Sequence, residues 1–455
     1  MTELDARLGK LLDGRKEKNR FRSFKEYDTT SDSGLVDFSS NDYLSLTSSK
    51  ALRKAYIERL ASTPSIFGST GSRLLSGCTP SHSLLEKRFS EFFNAPSSLL
   101  FNSGWDANVS FFSSVPQPND WIIYDELVHA SVHSGLRSSR IPLERRISFS
   151  HNDPLSLEDK LKIITNQASS SSSSKKQEKS TVFLALESLY SMDGDFSPLP
   201  KLLDILDKYI SRNRQCVILD EAHSTGVYGK QGRGITHALA EEGGFELDSN
   251  KRKRGKGRVD VRLMTFGKAV GCSGAVLLCS PTVRSFLINF ARPLIFSTAL
   301  PHSTIIALEC VWDVLQSEEG DQRRRSLMSL STHIHNSLDK LLSKVPHTIL
   351  HLPPDPIIPF PDLSDRDTDI LPSKPGSPIL GLLTPTPHAL SAFLLSKGFI
   401  VRPVVPPTVP PGGERVRICL RAGMRYGIID KLVAALGDWA DLKMAEKDQE
   451  VRAKL

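Results

Sequence analysis

Five side chains in this sequence carry chemistry that fits together. Lys268, closing the run Thr265-Phe266-Gly267-Lys268, offers an amine able to condense with a carbonyl. Asp220 ends the apolar run Cys216-Val217-Ile218-Leu219 and offers a carboxylate that keeps a ring nitrogen protonated. His223, three residues on, can reach a phenolic oxygen on such a ring. His129, in Glu126-Leu127-Val128-His129-Ala130-Ser131, suits the face of a ring, although alone such a residue is more often a helix cap or a packing histidine. Arg417, second arginine of Arg415-Val416-Arg417, reads alone as a strand-edge charge. Gly104 opens a helical segment through Trp105-Asp106-Ala107-Asn108, where free backbone N–H groups bind a phosphate. A lysine, an acid for a pyridine nitrogen, a ring-stacking group and phosphate donors are what pyridoxal 5'-phosphate (PLP) needs, so PLP held by Lys268 as a Schiff base is the predicted chemistry.

The elements that must position these residues follow an α/β rhythm. Ser98-Leu99-Leu100-Phe101, Thr181-Val182-Phe183-Leu184-Ala185-Leu186 and Cys216-Val217-Ile218-Leu219 are strand-sized apolar runs, each followed by a turn and a helical pattern. In mainly parallel sheets, ligands bind beyond the carboxyl ends of the strands, where the reactive residues fall here. The expected layout is an N-terminal helix and arm over 1–47, a large domain over 48–300 and a smaller C-terminal α/β domain over 301–455. Leu4, Leu8, Leu11 and Leu12 give the first segment helical spacing and the look of a docking helix. Three stretches read as surface loops inserted into this plan: Ala168–Ser180, Ser249–Arg258 and Pro353–Pro378.

Several function classes drop out. Asp220-Glu221-Ala222-His223 spells a helicase box, but each Gly-Lys pair, at Lys10, Lys230, Lys256 and Lys268, lacks the Ser or Thr of a phosphate-binding loop. The net charge of +7 is concentrated in Lys251–Arg258, which holds six positive residues and no aromatic, so no nucleic-acid partner is expected. The six cysteines form no C-x-x-C pair, which argues against a metal site or a disulfide framework. No apolar run approaches the roughly 20 residues that cross a bilayer, so no membrane insertion is expected.

Taken in order, Asn41-Asp42-Tyr43-Leu44-Ser45-Leu46, Gly68-Ser69-Thr70-Gly71-Ser72-Arg73-Leu74, Ser191-Met192-Asp193-Gly194-Asp195, Asp220-Glu221-Ala222-His223-Ser224-Thr225-Gly226 and Thr265-Phe266-Gly267-Lys268 resemble the α-oxoamine synthases. These are fold-type I PLP enzymes, acyltransferases that join an amino acid to an acyl-CoA with loss of CO2. The resemblance implies that His129 stacks on the cofactor ring, that Ser191 and His223 approach its phenolic oxygen, and that Asp220 pairs with its nitrogen. Gly104, Trp105 and Thr265 would contact the phosphate, joined by Ser297 and Thr298 of the partner subunit in a homodimer. Arg417 would bind the amino-acid carboxylate, and Arg20 and Arg22 are both candidates for the N-terminal arginine near the acyl carboxylate. Relatives carry a histidine shortly after the Arg417 motif, where this chain reads Arg421-Ala422-Gly423-Met424.

Within the family the chain looks most like the members that condense L-alanine with pimeloyl-CoA. Ser72 supports alanine, since glycine-using relatives carry threonine there, followed by Arg-Asn rather than Arg73-Leu74. A synthase using another acyl-CoA or amino acid, and a non-catalytic partner subunit, are the alternatives; the second is disfavoured by the presence of Lys268. The tripeptide Ala453-Lys454-Leu455 resembles the Ser-Lys-Leu address read by the peroxisomal import receptor, which makes the peroxisome the expected location and the cytoplasm the alternative.

Overall fold

The computed structural model describes residues 2–18, 20–29, 33–170, 180–242, 245–248, 251–254, 257–354 and 376–454. Its strands are β1 (Val36–Asp37), β2 (Ser97–Phe101), β3 (Trp121–Asp125), β4 (Arg146–Phe149), β5 (Val182–Glu187), β6 (Gln215–Asp220), β7 (Phe245–Asp248), β8 (Lys251–Arg254), β9 (Val261–Thr265), β10 (Ala275–Cys279), β11 (Ile379–Leu383), β12 (Phe399–Ile400), β13 (Arg402–Val404) and β14 (Arg415–Cys419). Seven of them form the central sheet in the order β2-β10-β9-β6-β5-β3-β4. The five from β9 to β4 pair in parallel, whereas β10 runs antiparallel to both of its neighbours. The strands β5 and β9 are buried at every position, as expected where helices cover both faces of a sheet.

The parallel register sets the chemistry in line. Glu187 of β5 stands opposite Asp220 of β6, and Asp220 opposite Leu263 of β9, so the strand ends bearing Glu187, Asp220 and Thr265 lie side by side. Beyond β9 the chain turns sharply. Phe266 N–H donates to Gly274, Cys272 N–H to Phe266, and Gly271 N–H to Lys268. The Phe266 ring is fully buried against Phe89 (centroids 5.2 Å apart) and Trp312 (5.6 Å). Burying such a ring stabilises the turn by about 1.5–3 kcal/mol and fixes where Lys268 leaves the sheet.

A second, antiparallel sheet, β11-β14-β13, carries Arg417 at its centre. The N-terminal arm is stitched to this part of the molecule: β1 pairs with β12, Phe38 C=O accepts from Cys419 N–H at 2.7 Å, and Tyr43 C=O accepts from Ala422 N–H at 2.7 Å. Those bonds carry Asn41 and Tyr43 to the same edge as Arg417.

Two loop expectations need correction. The helix Pro154–Ser170 runs through Ala168 and the first two serines; 171–179 lie outside the described residues. Within the basic stretch, Lys251–Arg254 is a strand paired antiparallel with Phe245–Asp248, and Arg258 is held by Glu241 and Asp204 rather than left in solvent. Residues 355–375 of the third stretch also lie outside the described residues. The N-terminal helix forms over Glu3–Glu17 with a Thr2–Asp5 capping box, but Leu4, Leu8, Leu11 and Leu12 are exposed. No described helix is long and apolar enough to cross a membrane.

Candidate active site

Lys268 Nζ lies 2.9 Å from His223 Nε2, and His223 Nδ1 lies 2.7 Å from the Tyr43 hydroxyl. The same hydroxyl is 3.1 Å from Asn41 Oδ1 and 3.5 Å from Arg417 Nη2. Arg417 Nη2 also donates to Asn41 Oδ1 at 3.0 Å, and its Nε donates to the Ser191 carbonyl at 2.5 Å. Lys268, His223, Tyr43, Asn41, Arg417 and Ser191 are therefore one continuous network. Part of the Lys268 side chain stays open, yet its amine is withdrawn from water, and this burial brings its pKa down to about 8 against the pull of Asp220 and Glu187. Burial, together with the positive charges of Lys268 and Arg417, pushes His223 well below the ordinary histidine range, so it is a neutral imidazole.

A second network holds the opposite side. Asn108 Nδ2 donates to Asp220 Oδ2 at 2.8 Å and to Ser131 Oγ at 3.0 Å, and Ser131 Oγ is 2.7 Å from His129 Nδ1. Ala222 N–H donates to Asp220 Oδ1 at 2.9 Å, so the carboxylate is oriented by two donors and keeps acceptor capacity for a further N–H. His129 is also the N-cap of the helix Ala130–Arg137, its side chain accepting from Ser131 N–H. Its ring is exposed and meets the Trp105 ring edge-to-face at 6.0 Å.

Gly104 starts the helix Gly104–Ser114, and a Cβ added there would lie 3.3 Å from Thr265 Oγ1. The helix start and the Thr265 hydroxyl thus converge on one spot, with donors suited to a phosphate. A lysine amine, a doubly oriented carboxylate, an exposed imidazole face and this anion cradle fit PLP group by group.

Ser72, Ser297 and Thr298 are not part of either network. Ser72 and Thr298 face one another in an isolated bridge, and Asn102 Nδ2 donates to Thr298 C=O at 2.7 Å, two residues before Gly104. Of the two N-terminal arginines, Arg22 lines a cavity of about 670 Å3 together with Lys16, Lys25, His388 and Arg402, while Arg20 is not among its lining residues. Arg402 stands opposite Arg417 in the antiparallel β13–β14 register, which puts both on one face of that sheet.

Sequence reasoning gave no role to Tyr43, Asn41, Asn108, Glu187 or His151. The first three sit inside quoted motifs, and Glu187 ends β5 just as Asp220 ends β6, so the strand-end rule would have found it. His151 had no such signal. Its ring bridges Asp125 and Asp195, 2.8 Å from each, and the two carboxylates raise its pKa to about 10. Asp195 belongs to the Ser191–Asp195 turn, which Gly194 tightens with φ +74; a Cβ there would come within 2.1 Å of the Ile379 carbonyl. That turn supplies the carbonyl that orients Arg417.

The pattern of the aminotransferase class I and II family matches residues 33–436. The chain is 38% identical over 419 residues to the 8-amino-7-oxononanoate synthase of Emericella nidulans, covering 92% of each chain. It is 30% identical to the aminoacyl transferase sphA of Aspergillus fumigatus, covering 89% of this chain and 81% of that one. Among solved structures, Sphingomonas wittichii serine palmitoyltransferase superposes with a TM-score of 0.75 at 22% identity, over 98% of this chain and 100% of that one, a likeness of fold.

Proposed function

We propose, since this chain belongs to the aminotransferase class I and II family and within it to the PLP-dependent α-oxoamine synthases, that it condenses L-alanine with pimeloyl-CoA to give 8-amino-7-oxononanoate, CoA and CO2. The observation that carries this reading is the joining of Lys268 to Arg417 through His223 and Tyr43, which ties a group that moves protons to a group that binds a carboxylate.

Arg417 receives the alanine carboxylate; its Nε and Nη2 are already oriented by Ser191 and Asn41, and Nη1 bonds to no described residue. Lys268, with a pKa near 8, takes the proton from the substrate's α-carbon and later returns one. Bound PLP supplies an electron sink for the negative charge left on that carbon. Asp220 would hold the ring nitrogen protonated, His129 would cover the ring face, and Thr265 with the start of Gly104–Ser114 would hold the phosphate.

The cationic cavity beside Arg22 and Arg402 supports a dicarboxylic acyl chain over a purely apolar one. A homodimer is supported by the exposed apolar residues Phe67, Leu75 and Phe296, which flank the Ser72–Thr298 bridge. Peroxisomal import rests on Ala453-Lys454-Leu455. The deciding experiment is product analysis with alanine, serine and glycine against pimeloyl-CoA and palmitoyl-CoA. Release of CoA and CO2 with alanine and pimeloyl-CoA is expected; turnover with serine and palmitoyl-CoA alone would overturn the assignment in favour of the serine palmitoyltransferase type.

A further inference from the structure

We propose that Tyr43 is a two-way hydrogen-bond switch that lets His223 change tautomer as Lys268 gains or loses its proton. The inference rests on the reading of Lys268 as the proton-moving group, and it adds Tyr43 as a positioning residue. His223 is neutral, so its ring has one N–H and one lone pair. When Lys268 is an ammonium it is donor-only, and His223 Nε2, 2.9 Å away, must accept. Nδ1 then carries the ring proton and needs an acceptor, and the Tyr43 oxygen at 2.7 Å is that acceptor. The Tyr43 proton points to Asn41 Oδ1, 3.1 Å away.

Once Lys268 is a neutral amine it gains a lone pair, and both bonds to the imidazole reverse while the Tyr43 proton leaves Asn41. Tyr43 O–H donates to Nδ1, and Nε2–H donates to the amine lone pair. Between the two states the site releases one proton, from Lys268; the imidazole and the phenol each keep one. Only a hydroxyl both accepts and donates at one position, and Tyr43 is fully buried, so no water substitutes for it. Burial also holds its phenol above its ordinary pKa, which keeps it in the protonated form the switch requires.

The groups acting on Lys268 from neighbouring elements are Asp220 and Glu187, which favour its charge, and Arg417 and His129, which oppose it. Of these, only Arg417 bonds to the Tyr43 oxygen, at 3.5 Å, and it keeps Asn41 and Ser191 when that oxygen is removed. A phenylalanine leaves Nδ1–H without an acceptor beside the ammonium and Nδ1 without a donor beside the neutral amine; the ammonium ladder also loses the Tyr43 bond to Asn41, so it is the more disfavoured of the two and the proton affinity of Lys268 falls.

The test measures the Lys268 midpoint in the full-length, cofactor-free protein, from the pH dependence of Lys268 labelling by an amine-reactive reagent read by mass spectrometry. Circular dichroism at each pH reports folding, and nitrogen-15 NMR of the histidines reports the His223 tautomer. Tyr43→Phe is expected to lower the midpoint by about one pH unit, a tenfold change that matches one buried hydrogen bond. The change of His223 from the Nδ1–H to the Nε2–H form is expected to move down in pH together with that midpoint. Incorporating 3-fluorotyrosine at position 43 keeps the shape but weakens the oxygen as an acceptor, so a smaller shift of the same sign is expected; it decides the matter if the phenylalanine variant does not fold. An unchanged or raised midpoint, or a wild-type His223 that keeps one tautomer throughout, overturns the switch. Those outcomes leave the condensation reading intact, since product analysis tests it separately.

Discussion

Glu187 and Asp220 face each other across neighbouring parallel strands, two buried carboxyl groups at the floor of one site. Burial first, and the Asp220 charge second, push the Glu187 carboxyl well above its ordinary pKa, although the His129 backbone N–H hydrogen-bonds to it. Glu187 thus keeps its proton to higher pH than an ordinary carboxyl, and it holds the backbone of His129. With its folded pKa raised, Glu187 binds a proton that the unfolded chain releases above about pH 4 to 5, so its contribution to stability falls as pH rises through that range and beyond. Glu187→Gln, which preserves the acceptor, is expected to match wild type at pH 4 and to be more stable at pH 8, as measured by urea unfolding at both values.

Lys268 carries the opposite sign. Its folded pKa of about 8 lies below the unfolded value of 10.5, so the folded protein bears the cost of an enclosed charge below pH 8 and regains stability between pH 8 and 10.5. Cofactor-free Lys268→Met should therefore melt higher than wild type at pH 7, with the difference closing by pH 10. The same variant should retain no PLP after borohydride reduction and denaturation.

His151 fixes the turn that orients Arg417. Its raised pKa gives stability that is fully present below pH 6.5 and lost as pH rises towards about 10. His151→Gln leaves Asp125, which is completely buried, without its cation, and a loss of about 3 kcal/mol at pH 7 is expected from denaturant titration. The KM for alanine should rise as well, because the Ser191 carbonyl loses its support.

At Arg417 the geometry favours a planar fork over a point charge. Arg417→Lys is expected to raise the KM for alanine by about 10- to 100-fold with a smaller change in kcat, read by steady-state kinetics, since Lys cannot serve Ser191, Asn41 and a carboxylate together.

The cavity containing Arg22 and Arg402 yields a selective effect. Replacing either with Gln should raise the KM for pimeloyl-CoA by about two- to fivefold, the size of one solvent-screened charge contact, while leaving the KM for an alkanoyl-CoA of equal length unchanged. Equal effects on both thioesters would assign the cavity to the CoA moiety or to structure instead.

The sequence by itself determined the strand-end chemistry. The apolar runs ending at Leu186 and Leu219, and the Thr265–Lys268 turn, announce an α/β sheet with its reactive groups beyond the strands, because burial between helices demands uninterrupted apolar runs and the next residue emerges at the edge. It did not determine who meets whom. Tyr43 and His223 are 180 positions apart, Asn108 and Asp220 are 112, and Arg417 and Ser191 are 226. Nothing periodic links such pairs; they meet because β1 and the segment after it lie along the sheet that carries Arg417, and because the parallel register aligns Glu187, Asp220 and Leu263. The antiparallel course of β10, the hairpin within the basic stretch and the choice of Arg22 over Arg20 as a cavity-lining residue were likewise decided only when the chain packed, since each depends on hydrogen bonds and contacts between segments rather than on local preference.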